Sequence, residues 1–339
     1  MGVADHTYLI VGLGSIGQRH ARNLRQLGAG RILAARSGLG QRPVPAELGL
    51  EEFPSLEAAL AAGPTLSLVC NPTSLHVPTT QRLLAAGQDV LLEKPLAHNL
   101  DGVADLLALA ARQQRLLFVA YTLRFHPLVE QTRAWLAEGR LGPLRYVRAS
   151  VGQYPPAWAP QYDYRQNYAV RQDLGGGCLR TFIHEVDLLL YLLGAPQTVL
   201  AMAGHYSTLE TDAEDIAEII LGYEQCLGSV HIDYVQKGRR HSRYLQIIGE
   251  ESSLWLDFTQ AELTLTGAAG AVEEIKLDDF DFNQLFLDEL RHIVDCAETR
   301  TPPRANGEAG ALGVQCVLAA LESSATGRRV DVRPWPGAR

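Results

Sequence analysis

Gly12, Gly14 and Gly17 have the spacing GxGxxG within the segment YLIVGLGSIGQRH. The segment begins with a run of apolar residues typical of a buried strand and continues into a helical pattern. In that setting the first glycine permits a tight turn, the second lets the backbone approach a pyrophosphate, and the third lets the helix pack closely on the strand. The amides at the start of such a helix attract an anion. The spacing therefore predicts a dinucleotide site, with Ser15 and Ile16 among its contacts.

The residues after the second predicted strand bear on which dinucleotide binds. A ribose with a free 2′-hydroxyl usually meets an acidic residue there, ~20 residues after the glycines. In this chain the strand predicted over Ile32–Ala35 is followed by Arg36 and Ser37, with Arg42 nearby and no acidic residue before Glu47. Because a guanidinium pairs with a phosphate, we expect NADP(H), held in part by these residues. NAD remains open, with Arg36 as a solvated residue at the strand end.

Two further segments bring polar residues to the ends of predicted strands. CNPTSLH closes the strand predicted over residues 66–70, and EKPLA closes the strand predicted over residues 90–93. Open α/β sheets bind their ligands at this edge. We therefore expect cofactor contacts from Asn71, Pro72, His76, Glu93 and Lys94.

Lys94 has a residue type and a position suited to proton transfer. Hydride transfer from a carbinol requires that a proton leave the oxygen, so a group must accept it near neutral pH. A lysine qualifies only when its pKa falls, which partial burial and a positively charged nicotinamide ring both promote. The alternative is a surface lysine that follows a strand.

His184 is the candidate partner in the second half of the chain, within LGGGCLRTFIHEVD. It opens a helical pattern in which Asp187 and Tyr191 follow at i+3 and i+7, on the same face. A carboxylate one turn away can orient an imidazole and support its charged form. The alternative is a histidine satisfied within the core.

The stretch GQYPPAWAPQYDYRQNY is rich in aromatic residues and prolines. Aromatic faces and tyrosine hydroxyls suit a polyhydroxylated ring, and we expect Tyr164 to contribute to such a surface. Arg165 and Arg124 are candidates to pair with a carboxylate or a diphosphate on the substrate. The alternative is that these aromatic residues pack a seam between domains or subunits.

The pattern of apolar residues divides the chain into two parts. Up to residue 122, short β-branched and leucine-rich runs alternate with helical segments, which predicts βαβ units, a doubly wound parallel sheet and a Rossmann domain over 1–122. From 123 to 339 we expect an α+β domain for substrate binding and oligomerisation, built on a largely antiparallel open sheet. The two terminal helices are open to packing back toward the first domain.

Composition limits the classes of partner. The chain has 339 residues, with 30 Lys plus Arg, 38 Asp plus Glu and a formal net charge of −8, so we expect no nucleic-acid partner. No segment resembles a signal peptide, and the apolar runs are shorter than the ~18 residues of a membrane-spanning helix. The scattered cysteines lack metal-ligand spacing. We expect a cytoplasmic protein with no metal and no membrane partner.

Five separated segments together resemble the Gfo/Idh/MocA family of oxidoreductases: GLGSIGQRHARNL, NPTSLH, EKPLA, the RFHP that ends at Pro127, and GGG followed by HEVD. Members have a Rossmann domain followed by a domain with a largely antiparallel sheet. Most oxidise or reduce sugars, cyclitols or sugar nucleotides with NAD(P). The resemblance implies that Lys94 contacts the reacting hydroxyl or carbonyl and that His184 lies beside it.

The chain departs from the family pattern at one position. Many members carry an aspartate three or four residues before the histidine, where this chain has Arg180 and Thr181. Thr181 can exchange a hydrogen bond with a substrate but cannot act as a base. The DYR triplet that ends at Arg165 resembles a branch found in bacterial surface-sugar and sugar-nucleotide pathways.

These observations lead us to expect an NADP-preferring dehydrogenase or reductase that acts on a sugar, cyclitol or sugar nucleotide. One alternative is a lyase or glycosidase of the same family that recycles a tightly held NAD. Another is a non-catalytic regulatory protein that binds a dinucleotide. A broad uncovered sheet face is a liability in a monomer, so we also expect a homodimer or homotetramer.

Overall fold

The computed structural model describes residues 2–38, 43–237, 242–268, 270 and 272–333. The described residues divide into two units. Unit 1 contains the described residues up to Thr122 together with Phe282–Ala311. Unit 2 contains Leu123–Asp281 together with the described residues from Leu312 onward. A segment from late in the chain thus belongs to the first unit.

Unit 1 is built on a six-stranded parallel sheet. Its strands are β1 (Thr7–Val11), β2 (Arg31–Ala35), β3 (Glu51–Phe53), β4 (Leu66–Val69), β5 (Asp89–Leu92) and β6 (Leu117–Val119). The spatial order β3-β2-β1-β4-β5-β6 is that of a Rossmann fold. Strands β2 and β3 lie on one side of β1, and β4 to β6 lie on the other, so the strand order changes direction between β1 and β4. The central strands β4 and β5 are buried along their whole length, as expected for a parallel sheet covered on both faces.

Four helices of the described residues connect these strands, and the sequence predicted all of them except the second. They are α1 (Ser15–Gln26), α2 (Leu56–Ala61), α3 (His76–Ala85) and α4 (Val103–Arg112). The pattern analysis missed β3 and α2 because β3 has three residues, none of them fully buried, and so shows no alternation.

Unit 2 contains a nine-stranded sheet in the order β14-β13-β12-β11-β7-β10-β9-β8-β15. The strands are β7 (Leu144–Gly152), β8 (Thr198–Gly204), β9 (Ile216–Gly222), β10 (Leu227–Asp233), β11 (Ser242–Gly249), β12 (Ser252–Asp257), β13 (Glu262–Gly267), β14 (Val272–Lys276) and β15 (Val330–Asp331). Only the β7 and β10 pair is parallel among the pairs of this sheet in the described part of the chain. The fold class predicted from the sequence is confirmed.

Four helices precede or interrupt this sheet: α5 (Pro127–Ala137), α6 (Pro155–Trp158), α7 (Cys178–Thr181) and α8 (Ile183–Leu193). The aromatic stretch, residues 152–168, contains α6 and two short 3₁₀ turns, the second of which begins at Tyr168. Helix α8 packs against β7 and β10. The strands alternate between this covered face and an outer face on which Leu200 and Met202 are exposed.

Two long helices follow β14 in the chain, α9 (Asn283–Thr299) and α10 (Gly307–Thr326). Helix α9 completes the core of unit 1, where Leu290, Ile293 and Val294 pack with residues of β1, β2 and β4. Its first turn is joined to α1 by two reciprocal amide hydrogen bonds between Asn23 and Asn283, of 3.3 and 2.9 Å. In the described ranges, no helix combines the length and apolarity that crossing a bilayer requires.

Candidate active site

The glycine motif forms the turn between β1 and α1 in unit 1. Gly12 has φ of +96°, and a Cβ atom there would lie 2.9 Å from the backbone of Cys70 and Asn71. A Cβ atom on Gly17 would lie 2.1 Å from the Gly12 carbonyl oxygen. Gly14 differs, because a Cβ atom there would meet nothing within 4 Å. Close backbone contacts therefore exclude any larger residue at Gly12 and Gly17, whereas the space beside Gly14 is open.

That open space adjoins the start of α1. Gly14 is the N-cap residue and supplies no side-chain hydrogen bond to the first turn, and Ser15 beside it is exposed. The first amides of a helix have no partner within the helix and favour a negative charge. A bare backbone surface at a helix N-terminus fits the diphosphate of a dinucleotide. Ile16 is half-buried next to it.

Arg36 follows β2, as expected, and meets a carboxylate that the sequence reasoning missed. Its Nη1 lies 3.3 Å from Oε2 of Glu52 on the neighbouring strand β3. Glu52 escaped notice because β3 itself was not predicted. Ser37 is exposed beside Arg36, and Arg42 lies outside the described residues.

His76 is buried beneath the end of β4. Its Nδ1 lies 2.8 Å from the carbonyl oxygen of Pro95, and its Nε2 lies 3.0 Å from that of Asn71. Burial lowers the pKa of His76, and the two carbonyl hydrogen bonds oppose that shift. The ring thus braces the Asn71 backbone against the Lys94–Pro95 turn. Asn71 and Pro72 are half-buried. The predicted cofactor contacts of these two residues and of His76 remain predictions.

Glu93 holds the turn that carries Lys94. Its Oε1 lies 2.8 Å from Nε2 of His20 on α1, and its Oε2 accepts the backbone N–H of Lys94 at 3.3 Å. Burial raises the pKa of the Glu93 carboxyl, but the His20 hydrogen bond and the nearby charges of His20, Lys94 and His76 outweigh it and leave that pKa below its usual value. Lys94 is half-buried and joins Pro95 through a cis peptide bond.

In unit 2, His184 lies in the first turn of α8 and is half-buried. Asp187 was expected to orient this ring, but its carboxylate binds Arg124 instead. Its two carboxylate oxygens accept hydrogen bonds of 3.0 and 2.6 Å from Nε and Nη2 of Arg124, and both side chains are buried. The sequence analysis did not foresee this ion pair, which anchors α8 to the start of unit 2. A substrate contact by Arg124 or Asp187 remains a prediction.

Thr181 lies at the end of α7, where its hydroxyl is 2.5 Å from that of the buried Tyr234. The Tyr234 hydroxyl oxygen also lies 3.0 and 3.1 Å from the carbonyl oxygens of Ala169 and Gly177, which share its one hydrogen when Thr181 donates to it. Tyr234 thereby ties the aromatic stretch to the turn before His184. Sequence reasoning had no local signal for it, because Tyr234 lies just after β10.

Glu214 is a second residue that the sequence reasoning missed. Its carboxylate accepts the backbone N–H of Leu179 in the first turn of α7, at 3.2 Å. Burial raises the pKa of Glu214, although the charge of Arg180 opposes that shift. A Cβ atom on Gly177 would lie 2.2 Å from this carboxylate, which explains why a glycine is needed there. The region without the family's aspartate thus acquires a carboxylate from a distant segment.

The polar residues of the aromatic stretch are bound within unit 2. Arg165 Nε lies 2.8 Å from Asp163 Oδ1, and its Nη1 lies 3.3 Å from both oxygens of Glu210. The Tyr164 hydroxyl accepts the backbone N–H of Glu210 at 3.1 Å. Arg165 remains half exposed. Its predicted substrate contact, and that of Tyr164, stays a prediction.

The two glycines that differ in their surroundings predict separable effects. Gly17→Ala forces a methyl group against a carbonyl oxygen and is expected to lower the free energy of unfolding by about 1–3 kcal/mol. Gly14→Ala is expected to leave stability within about 0.5 kcal/mol and to weaken dinucleotide binding, because its methyl group enters open space at the helix start. Urea unfolding and fluorescence titration with NADPH measure the two effects. Equal destabilisation by both substitutions would contradict the assignment.

Comparison with known proteins identifies two family models along the chain. The model described as the oxidoreductase family with an NAD-binding Rossmann fold matches residues 6–121. The model described as the Gfo/Idh/MocA C-terminal domain matches residues 129–255.

Individual relatives agree with these matches. Myo-inositol 2-dehydrogenase of Thermotoga maritima is 24% identical over 339 residues, covering 95% of this chain and 97% of the relative. UDP-N-acetylglucosamine 3-dehydrogenase of Acidithiobacillus ferrooxidans is 27% identical over 208 residues, covering 61% of this chain and 60% of the relative.

Solved structures show the same fold. An inositol dehydrogenase homologue of Azotobacter vinelandii in complex with NAD+ superposes with a TM-score of 0.85 at 22% identity, over 96% of this chain and 97% of that chain. Levoglucosan dehydrogenase in complex with NADH and levoglucosan gives a TM-score of 0.86 at 17% identity, over 96% and 99% of the two chains. Together with the family models, the glycine loop and the EKP turn of unit 1 establish that this chain belongs to the Gfo/Idh/MocA family of oxidoreductases.

Proposed function

We propose that this protein is an NAD(P)-dependent dehydrogenase or reductase that acts on a hydroxyl or carbonyl group of a sugar, cyclitol or sugar nucleotide. The bound nicotinamide supplies or accepts the hydride. The observation that carries the proposal lies in unit 1, where the buried bond between His20 and Glu93 joins the glycine-loop helix to the turn of Lys94. The named activities of the inositol and UDP-sugar dehydrogenase relatives support the substrate class.

Lys94 accepts the hydroxyl proton during oxidation and returns it during reduction. Of the 30 Lys plus Arg residues in the chain, three are lysines, Lys94, Lys237 and Lys276, and the rest are arginines. An arginine stays protonated at all working pH values, whereas a lysine can exchange a proton when its surroundings lower its pKa. The use of lysine at this position, in a chain that otherwise favours arginine, supports a proton-transfer role.

His184 is the second proton-handling group of the proposal. It is the half-buried titratable residue of the α8 first turn, and α8 is anchored by the Arg124–Asp187 ion pair rather than by a contact with substrate. Thr181 contributes a hydroxyl already aligned by Tyr234. A hydroxyl can orient a substrate oxygen, and the proton transfer itself stays with Lys94 and His184.

Replacing the proposed acid and base tests the assignment. Lys94→Met is expected to lower kcat by about 100-fold or more, since positioned proton transfer contributes that much, and to leave NADPH binding intact. Lys276→Met is the matched control, because Lys276 forms an exposed ion pair with Glu262. Steady-state rates and fluorescence titration measure both effects.

The same variants distinguish the alternatives. A Lys94→Met enzyme that retains turnover would contradict the proposal. Substrate conversion without net change in NADPH absorbance would favour a lyase or glycosidase that recycles its cofactor. Binding of the cofactor without turnover of any of a broad panel of sugars, by the unmodified protein, would favour a regulatory role.

For the cofactor, we propose a preference for NADP(H). The support is Arg36, whose guanidinium follows β2 at the level where a 2′-phosphate binds in this fold. Its side chain is 27% exposed, and its 3.3 Å contact with Glu52 is long enough to be exchanged for a phosphate. Glu52 competes with that phosphate for the same cation, and so moderates the preference.

Two substitutions measure that competition. Arg36→Ala is expected to weaken NADPH binding about tenfold or more and to change NADH binding little. Glu52→Gln is expected to strengthen NADPH binding, because it frees the guanidinium. Glu51→Gln is the control, since Glu51 is paired with Arg31 at the other end of β2. Tighter binding of NADH than of NADPH by the unmodified protein would overturn the preference.

We also propose that two copies associate through the outer face of the unit 2 sheet. Met202 and Leu200 are 72% and 45% exposed there, and Trp255 is stacked on Tyr244 on the same face. Adjacent exposed apolar side chains favour contact with a matching surface.

We further propose a cytoplasmic location, because the five cysteines are free thiols, four of them buried, and free thiols persist in a reducing compartment.

Association by this face predicts a response to one charge. Met202→Asp is expected to shift the sedimentation coefficient to that of a monomer, because the carboxylate would be desolvated in the interface. Leu75→Asp, at an exposed apolar residue of unit 1, is the control. A Met202→Asp protein of unchanged mass in solution would exclude this face as the interface.

A further inference from the structure

Helix α9 carries an acidic residue into the core of unit 1. Glu289 is 2% exposed, and neither of its carboxylate oxygens has a hydrogen-bond partner. It lies one turn after Phe286, whose ring meets the His20 ring at a centroid distance of 6.1 Å. The face of α9 that bears Glu289 is therefore the face that packs on α1.

The groups around Glu289 belong to the Lys94 turn and its support. Glu93 lies within electrostatic reach of Glu289, and both carboxyls act on the buried thiol of Cys70. From α1, His20 and Arg19 face α9, with the Arg19 guanidinium 4.6 Å from the Phe286 ring centroid. The charges of Lys94 and His76 also act on Glu93. On α9 itself the neighbouring charged groups are Asp288, Arg291 and His292.

Such an arrangement is costly. A buried polar group without a hydrogen bond opposes folding, and an ionised carboxylate in that position would oppose it far more. Burial raises the pKa of Glu289 well above its usual value, and the negative charge of Glu93 raises it further. A leucine would fill the space without this cost, and positions that violate such a rule are usually functional.

We propose that Glu289 is a positioning residue for Lys94: buried and without a hydrogen bond, it lies beside the Glu93 carboxylate that binds the Lys94 backbone, and it acts on Lys94 through Glu93. The inference rests on the proposed role of Lys94. A neutral Glu289 favours the ionised form of Glu93, which binds His20 and the Lys94 backbone, because a second negative charge in the same buried space would oppose it. When the pH exceeds the raised pKa of Glu289 and this carboxyl ionises, Lys94 holds its proton more tightly and transfers it less readily.

The first test is the pH dependence of stability. Below the usual glutamate pKa, Glu289 is protonated in both the folded and the unfolded chain. Above it the unfolded chain releases the proton while the folded chain retains it, so stability is lost as pH rises, up to the folded-state pKa. Glu289→Gln removes this loss. The unfolding constant of the wild type, divided by that of Glu289→Gln, is expected to grow by up to tenfold per pH unit.

Urea unfolding of the wild type and of Glu289→Gln between pH 5 and pH 8 measures that ratio. Asp288→Asn is the control, because Asp288 is an adjacent but exposed carboxylate on the same helix. A Glu289→Gln effect that is independent of pH would show that only packing matters, and would overturn the proposal. This readout needs no substrate, so it stands even if the proposed activity fails.

The second test observes Lys94 directly. Because the chain has three lysines, Lys237→Met combined with Lys276→Met leaves Lys94 as the single lysine, whose ¹³C-dimethylated amine titrates in NMR spectra. We expect a second inflection in this background, at the pH where Glu289 ionises, and its absence when Glu289→Gln is added. Identical Lys94 titration curves with and without Glu289→Gln would show that Glu289 does not act on Lys94, and would overturn the proposal. A lower Lys94 pKa in Glu289→Gln at neutral pH would show that Glu289 was ionised, and would also overturn the proposal.

Discussion

The geometry of unit 1 depends on one buried contact, the 2.8 Å bond between His20 and Glu93. His20 belongs to the helix that follows the glycine loop, and Glu93 is the residue just before Lys94. Loss of either partner would leave the other as a buried polar group without its hydrogen bond, which costs about 1–3 kcal/mol. The contact therefore links the loop that suits a diphosphate to the lysine that suits proton transfer. His76 reinforces it by joining Pro95 to Asn71.

Much of this could be predicted from the sequence because it is encoded locally. The glycine spacing, the strand before it and the helix after it all lie within a few residues, and the sheet order follows from the alternation of strands and helices. What failed was the choice of partner. Asp187 was expected to serve the neighbouring His184 at i+3, but Arg124 takes both of its oxygens. Such a choice depends on tertiary packing, which periodicity does not encode.

The residues that sequence reasoning missed share that origin. Glu52 lies on a strand of three residues that shows no pattern, and Glu214, Tyr234 and Glu289 act on segments far from them in the chain. The ligand contacts predicted for His76 and Arg165 stay predictions, because the structure shows both side chains in contact with other protein groups. Whether an imidazole faces a ligand or two carbonyl oxygens is decided by the neighbouring strands, and so is visible only once the chain is folded.

Unit 2 supports its own site residues in a comparable way. The aromatic stretch is tied down by Tyr234, by the Arg165 contacts and by Trp158, whose ring packs edge-on against that of Tyr234 at 5.7 Å. Polar groups that already have partners need little further ordering when a ligand binds, which lowers the entropic cost of binding. The turn before His184 is thus held from two sides, by Tyr234 at Thr181 and by Glu214 at the start of α7.

The division of the chain also sets an order of events at the ribosome. Unit 1 draws α9 from beyond Asp281, so its core lacks Leu290, Ile293 and Val294 until the whole of unit 2 up to that residue has been synthesised. At ~5–20 residues per second, that interval lasts on the order of ten seconds. During it the nascent Rossmann sheet exposes the apolar surface that α9 later covers. Until α9 covers it, this surface favours association with other exposed apolar surfaces.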